Sequence, residues 1–345
     1  MPEQDSQVRS AASYEIVIAG TTYTQRDRLG VESLTIEDHV DMVSMLTMEV
    51  GGAEGQPAWT FEIGQEVTAK VGDMTAVIFK GEITALEPSW SAKNGARIVV
   101  RALDPLHKLG RGRQSRAFPD QTDSDVVSTV AGDCGLNVEV DTTSPTHPYI
   151  LQRNESNISF VKRLAARNNF LLRLDRETLL FKKNQYTGDE VTLTNGANVQ
   201  SLRISANTAD LADKVVVRGW DPLTKQAVVG EASSVTSVGG GTTGIDLAKT
   251  KFGEHTSYVT DVPVTDQNLA TAIATAELER IARQFVRGNA TIYGNDRVRA
   301  GTNVVLAEFN SPWDGKYFVM ASRHVIGSGD AYLTEFTFCS NSFGS

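Results

Sequence analysis

Five histidines and two cysteines are the residues of this 345-residue chain best suited to hold a metal or activate a nucleophile, and their spacing argues against both. His39, His107, His147, His255 and His324 are scattered along the chain. None stands in an H-E-x-x-H or C-x-x-C neighbourhood, the spacings that bring zinc ligands together. Cys134 and Cys339 allow one bridge and no disulfide framework. Cys134 falls in an apolar helical stretch, where a thiol packs as a small hydrophobe. There is no G-x-S-x-G nucleophile elbow and no G-x-x-x-x-G-K-S/T phosphate loop. The run VGGGTTG (Val238–Gly244) has glycines but no lysine to reach a phosphate, so it reads as a flexible turn or loop. With 42 acids, carboxylate pairs are unavoidable, and without convergent geometry they do not indicate a glycosidase. The sequence therefore assigns no catalytic residue, no cofactor and no metal.

Charge is more informative. The formal net charge is −9, which argues against a protein that coats nucleic acid. From Val31 to Ala69 there is no Lys or Arg, while Glu37, Asp41 and Glu49 recur on one side of an alternating pattern. They form either a solvated sheet face or an acidic lumen past which cargo slides. The opposite feature is HKLGRGRQSR, with Lys108, Arg111, Arg113 and Arg116, either an exposed loop or a contact with an acidic partner. The N-terminus lacks the pattern of a secretory signal, and no apolar run is long enough to span a bilayer.

The elements that carry these residues are mostly strands. YEIVIAG (Tyr14–Gly20) alternates and ends at glycine. From Leu34 to Val50 most apolar residues (Leu34, Ile36, Val40, Met42, Leu46, Met48 and Val50) fall on even positions, the period of a half-buried antiparallel sheet turning near Asp38–Asp41. Further strands are expected at Glu66–Val71, Ala76–Leu86 and Ala96–Leu103. Helices are expected after Thr122–Ser124 and after Ser156 or Asn157, followed by a hairpin across Asp175–Thr178. The strongest helix starts at Thr265 or Asp266, carries Leu269, Ile273, Ala276, Ile281 and Phe285, and stops at Gly288. Strands fill the remainder of the C-terminal third.

Two internal echoes stand out. RIVVRALDPLHK (Arg97–Lys108) nearly repeats as KVVVRGWDPLTK (Lys214–Lys225). Gly64–Val67 is echoed by Gly301–Val304 at a different offset, and the strands that follow keep the same order. The second echo points to a duplicated barrel. The first reads as a shared local turn, in which proline fixes φ and aspartate bonds nearby backbone.

Several segments resemble the late control D proteins of phages and the hub half of type VI secretion spike proteins. The resemblance rests on Gln152, Asn154, Glu155, Ser156, Phe160 and Arg163 in QRNESNISFVKRLA, on Gly219, Trp220, Asp221 and Pro222, and on the C-terminal DGKYFVMASRHVIGSGDAYLTEFTF. It implies a baseplate hub of a contractile phage tail or tail-like injection system. Such a hub is a homotrimer joining a hexameric tail tube to a trimeric spike, beside other baseplate proteins. It is expected to assemble in the bacterial cytoplasm and become part of the particle, without specific nucleic-acid binding or membrane insertion. No spike barrel follows Ser345, so a separate spike protein is expected.

The expected fold class is a β-rich α+β chain with two tail-tube-like antiparallel β-barrels and a helix-helix-hairpin insert. The expected divisions are a disordered N-terminus (1–12), a first barrel (13–109), the insert (110–204), and a second barrel (205–345) with a helix over 266–287. Asn154 and Ser156 are expected to cap, and Glu155 and Arg163 to fix the insert. A tail-borne cell-wall hydrolase and a carbohydrate-binding β module are the alternatives. The first has no recognisable catalytic constellation. The second expects an aromatic binding face, while Phe, Trp and Tyr make up only 7% of the chain.

Overall fold

The computed structural model describes residues 13–26, 30–51, 59–92, 95–175, 177–183, 186, 190–327 and 332–344. The expected disorder of residues 1–12 lies outside the described residues. The chain opens with seven strands: β1 (Tyr14–Ile18), β2 (Thr21–Thr24), β3 (Val31–His39), β4 (Met45–Gly51), β5 (Glu66–Val71), β6 (Phe79–Ser91) and β7 (Gly95–Leu103). Their burial alternates as period two demands: Leu34, Ile36, Leu46, Met48 and Val50 point inward and Thr35, Glu37, Thr47 and Glu49 do not. These residues, with Ile16, Val67 and Val100, build one apolar core.

A 3-10 turn (Pro105–Gly110) leads into the insert. It comprises β8 (Gln114–Gln121), α1 (Asp123–Asp133), β9 (Asn137–Val140), β10 (His147–Glu155), α2 (Asn157–Asn168), β11 (Phe170–Asp175) and β12 (Thr178–Lys183). Thr122 and Asp125 form a reciprocal capping box on α1, and Ser156 caps α2 through the Ser159 N–H. Asn169, at φ 53°, ends α2 in the left-handed region. Val126, Val127, Phe160, Leu164, Leu172 and Phe181 form a second core.

The rest of the chain supplies β13 (Glu190–Thr194), β14 (Val199–Ala206), β15 (Lys214–Asp221), β16 (Gln226–Ala232), β17 (Gly240–Thr243), α3 (Gly244–Phe252), β18 (Thr256–Val259) and α4 (Gln267–Ala282). It closes with β19 (Val286–Tyr293), β20 (Asn303–Ala307), β21 (Gly315–Gly327), β22 (Tyr332–Ser340) and β23 (Ser342–Gly344). A third core gathers Val217, Leu278, Phe285, Ile292, Val304 and Phe338.

Both β regions belong to one 13-stranded sheet, with path β14-β19-β22-β21-β3-β4-β7-β6-β5-β1-β2 and with β20 and β13 branching from β21. The halves join where β21 pairs antiparallel with β3, from Ala321 opposite His39 to Gly327 opposite Ser33. Within this sheet the order β3-β4-β7-β6-β5 recurs as β14-β19-β22-β21-β20, antiparallel at every step. The irregularities recur too. Thr84 is bulged from β6 between the Ile83–Ala102 and Ala85–Arg101 pairs. Met320 is bulged from β21 between the Val319–Phe338 and Ala321–Thr337 pairs. Glu32 is extra between Val31–Val50 and Ser33–Glu49, as Gln200 is between Val199–Ile292 and Ser201–Thr291. The glycine before each short strand has positive φ, 92° at Gly64 and 83° at Gly301. Gly64 N–H donates to Ile83 C=O at 2.8 Å and Gly301 N–H to Val319 C=O at 2.9 Å. Bulges redirect a strand and increase its local twist, so their repetition gives both halves the same bend.

Three sequence expectations shift. The segment 190–204, assigned to the insert, largely joins the large sheet, because β13 runs parallel to β20 and β14 pairs with β19. The helix expected over 266–287 ends at Ala282, since Val286 onward is taken up between β14 and β22. The VGGGTTG loop contains β17 and starts α3, with Thr243 as N-cap accepting from Asp246 N–H. Helix α3 carries no long apolar stripe, burying only Gly244 and Ile245. Helix α4 packs on the three-stranded sheet β16-β15-β18, and a Cβ on Gly230 would sit 2.1 Å from the backbone of Ala270.

Candidate functional site

The Gln152–Arg163 motif forms a closed network at the heart of the insert. The β8–β10 register slips between Gln152 and Glu155, and Asn154 there has φ 45°. Asparagine tolerates that left-handed conformation better than most residues. Its N–H donates to Ser115 Oγ at 3.1 Å and its C=O accepts from Arg113 at 3.3 Å. Asn154 thus shapes a bulge, and capping falls to Ser156 alone.

Gln152 is fully buried. Its Nε2 donates to Glu155 C=O at 3.1 Å and to Asn157 Oδ1 at 2.9 Å, and its Oε1 accepts from Arg116 Nε at 2.8 Å. The Arg116 guanidinium also pairs with Asp133 and lies 5.0 Å from the Phe118 ring centre. Phe118 stacks on Phe160 at 5.7 Å, and Arg163 covers the Phe160 ring at 5.1 Å. Arg163 donates to Glu155 at 2.6 Å and to Leu151 C=O at 2.9 Å. Every polar group named here is spent inside the insert.

Sequence reasoning missed a second network. Asp123, 1% exposed at the start of α1, accepts from Arg167 Nε at 2.5 Å and Asn168 Nδ2 at 2.6 Å, and His147 Nε2 lies 3.6 Å away. An Asp beside a His suggests catalysis, but both carboxylate oxygens of Asp123 are engaged by Arg167. Burial lowers the His147 pKa. The arrangement ties α1 to the end of α2. The signal was Arg167 and Asn168 at the close of an amphipathic helix.

The two Asp-Pro-Leu copies share one local device in two settings. Asp104 Oδ1 accepts from Leu106 N–H at 3.0 Å, and Asp221 Oδ1 from Leu223 N–H at 2.9 Å. Asp104 is buried, also accepts from Ser44 N–H at 2.9 Å, and is pushed up to about 6 by that burial. Asp221 lies at the surface, where hydrogen bonds from Thr224 and Leu223 lower its pKa. Gly219 sits under Val264, whose carbonyl oxygen would lie 2.1 Å from an added Cβ. Trp220 is exposed, and Pro222 opens the turn that reverses β15 into β16.

The charged candidates divide. Glu37 pairs with Arg323 at 3.4 Å and Glu49 with Arg97 at 3.2 Å, both partly exposed. Asp41 has a different job: its Oδ1 accepts from Leu172 N–H at 2.9 Å, holding the insert hairpin against the end of β3. Of the basic run, Lys108 pairs with Glu82 at 2.6 Å, Arg113 bonds Asn154 and Arg116 is bound as above. Arg111 is exposed. These residues therefore do not form one free basic patch. Among the described residues no group of three or more His, Cys, Asp and Glu could hold a metal ion, and both cysteines are free. Among the described residues no helix is long and apolar enough to cross a membrane.

The fold is shared with phage tail proteins. The 43 kDa tail protein of prophage MuSo2 from Shewanella oneidensis matches with a TM-score of 0.71 at 16% identity, over 95% of this chain and 98% of that one. The tail protein from Neisseria meningitidis MC58 gives 0.71 at 13% identity, over 95% and 96%. The E. coli c3393 protein, a type VI secretion component with structural similarity to the T4 tail proteins gp27 and gp5, gives 0.66 at 14%, over 95% and 77%. At these identities the likeness is one of fold. Comparison with curated protein sequences gives no match. Residues 9–328 match the model of the family described as the Alg8 N-terminal domain, and the chain belongs to that family.

Proposed function

We propose that this chain is the structural baseplate hub of a contractile phage tail or tail-like injection system, a late control D-type adaptor rather than an enzyme. Three copies form a ring between a hexameric tail tube and a trimeric spike, in contact with other baseplate proteins. The observation that carries the reading is the repeated five-strand order with its repeated bulges. Each half is one tube-like barrel unit, so a trimer offers six similar units to a six-fold tube and three insert domains to a three-fold spike. The fold shared with tail proteins supports the same reading.

In this arrangement Glu37 and Glu49 face the lumen, and Asp41 does not, because its carboxylate is engaged by the insert. Arg111 is the member of the basic run left to meet an acidic partner. The chain assembles in the cytoplasm of the producing bacterium and leaves as part of the particle. The test is stoichiometry in purified particles carrying a tagged copy. Three copies per particle, located at the tube–spike junction by electron microscopy, is the expected result. A different stoichiometry, or label elsewhere on the particle, overturns it.

A further inference from the structure

A cavity of about 650 Å³ opens between the second half of the large sheet, the end of α4 and the insert, and four of its lining residues are arginines. This is the size of a small-molecule pocket. Its position follows from register. Arg203 on β14 pairs with Asn289 on β19, and Ser205 pairs with Arg287, so both arginines stand on one face in diagonally adjacent rows. Helix α4 adds Arg280 in its last turn and Arg283 as its C-cap.

The four guanidiniums are not equally satisfied. Arg280 is held by both oxygens of Glu277, at 2.6 and 2.7 Å. Arg283 donates to Asn169 Oδ1 at 3.0 Å. Both also sit at a helix C-terminus, where a cation is favoured by the dipole and needs no ligand to explain it. Arg203 and Arg287 lie on strands, are exposed, and take part in no ion pair among the described residues. The other walls do not neutralise them. Asp41 is the one acid among the lining residues; its Oδ1 accepts from Leu172 N–H, and its charge acts on Arg283 and Lys162 rather than on Arg203 or Arg287. Burial pushes the Cys339 thiol up to about 11, so it is uncharged at neutral pH. Ser205, Gln284 and Asn289 add neutral hydrogen-bond donors. A cationic concavity in a chain of net charge −9 is a local inversion of the protein's field.

We propose that this cavity binds a small molecule carrying two or more phosphate or carboxylate groups, with Arg203 and Arg287 as its principal contacts and Arg283 behind them. Guanidinium forks match the planar, two-oxygen faces of such groups, and they do so better than ammonium ions. The ligand lies between sheet, α4 and insert, so its binding also braces the insert against the sheet.

The probes are pyrophosphate and citrate, titrated calorimetrically and by thermal shift against the intact chain, with sodium chloride at matched ionic strength. Saturable binding of either probe, one per chain, with a rise in melting temperature beyond the salt control, is expected. A preference for pyrophosphate assigns phosphate chemistry; a preference for citrate assigns carboxylate chemistry. In the Arg203→Gln, Arg287→Gln variant the dissociation constant is expected to rise roughly tenfold or more. Arg287→Lys keeps the charge and is expected to fall between the two. These residues are exposed, and unchanged circular dichroism and ligand-free melting will show that folding is intact. No saturable binding by the wild type, or equal binding by the glutamine variant, overturns the site.

Discussion

Thr84 and Met320 occupy the same place in two halves of one sheet. Each is the extra residue of a bulge, and each bulge is followed by the same antiparallel pairing to the next strand. Side chains alternate faces with period two, so a bulge residue sets which face every later residue takes. Deleting Thr84 or Met320 is therefore expected to abolish the cooperative unfolding transition. Thr84→Ala keeps the count and removes only a long 3.4 Å bond to Arg101 C=O, so it is expected to cost less than about 1 kcal/mol. Urea unfolding followed by circular dichroism distinguishes these outcomes. A deletion that unfolds like wild type would contradict the shared role.

The Gln152 network sets a second expectation. Gln152→Ala leaves Arg116 Nε without its acceptor and removes one of the two donors to Asn157 Oδ1, and is expected to destabilise the insert by about 1–3 kcal/mol. Ser156→Ala removes a helix cap and is expected to cost about 1 kcal/mol. Asn154→Gly relieves a positive φ and is expected to be neutral or stabilising, whereas a capping role for Asn154 would make it costly. Denaturant midpoints of the three variants separate these effects.

Gly230 is where α4 meets the β16 backbone. In Gly230→Ala the methyl would fall 2.1 Å from Ala270, on backbone that cannot rotate away. The helix must shift, with an expected loss of about 1–3 kcal/mol or more. Gly253→Ala is a contrasting control, because nothing lies within 4 Å of its Cβ and only its φ of 87° is strained. Faster amide exchange in α4 of Gly230→Ala, but not of Gly253→Ala, is the expected readout.

Asp296 predicts a pH dependence. Burial, and then the hydrogen bond with Asp73, push it up to about 6, while hydrogen bonds from Thr75 lower Asp73. Between the ordinary carboxyl value near 4 and 6, the folded chain holds a proton that the unfolded chain releases. The Asp296 contribution to stability is therefore full below pH 4 and is lost as pH rises through 6. Asp296→Asn removes that loss, so the variant is expected to gain on wild type between pH 4 and pH 7. His324, lowered to about 3 by burial, acts in the opposite direction but is present in both proteins. A stability difference that does not change with pH would contradict the assignment.

The strand periods were legible because each half-buried face alternates, as in Leu34–Val50, and cap residues within Thr122–Ser124, at Ser156 or Asn157, and at Thr265 or Asp266 announced three helices, whose caps are Thr122, Ser156 and Asp266. The Gly64 and Gly301 echo was legible because a positive φ restricts residue choice. The join of the halves was not, since the pairing of β21 with β3 lies far apart in sequence and leaves no local mark. The short strand β13 and the glycine-led helix α3 were missed for want of periodicity. At the insert, the motif residues were visible as residue types. Their roles depended on the bulge at Asn154, which turns Gln152 inward and gives Asn154 a backbone task. The arginines of the cavity come from β14, α4 and β19, and only the fold brings them together.

The most direct test of the hub reading is the native mass of the purified chain, measured alone and with a candidate trimeric spike protein, across a concentration series. The account predicts a trimer, or a monomer that becomes a three-to-three complex when the spike is added. A chain that stays monomeric at every concentration and ignores the spike would contradict it.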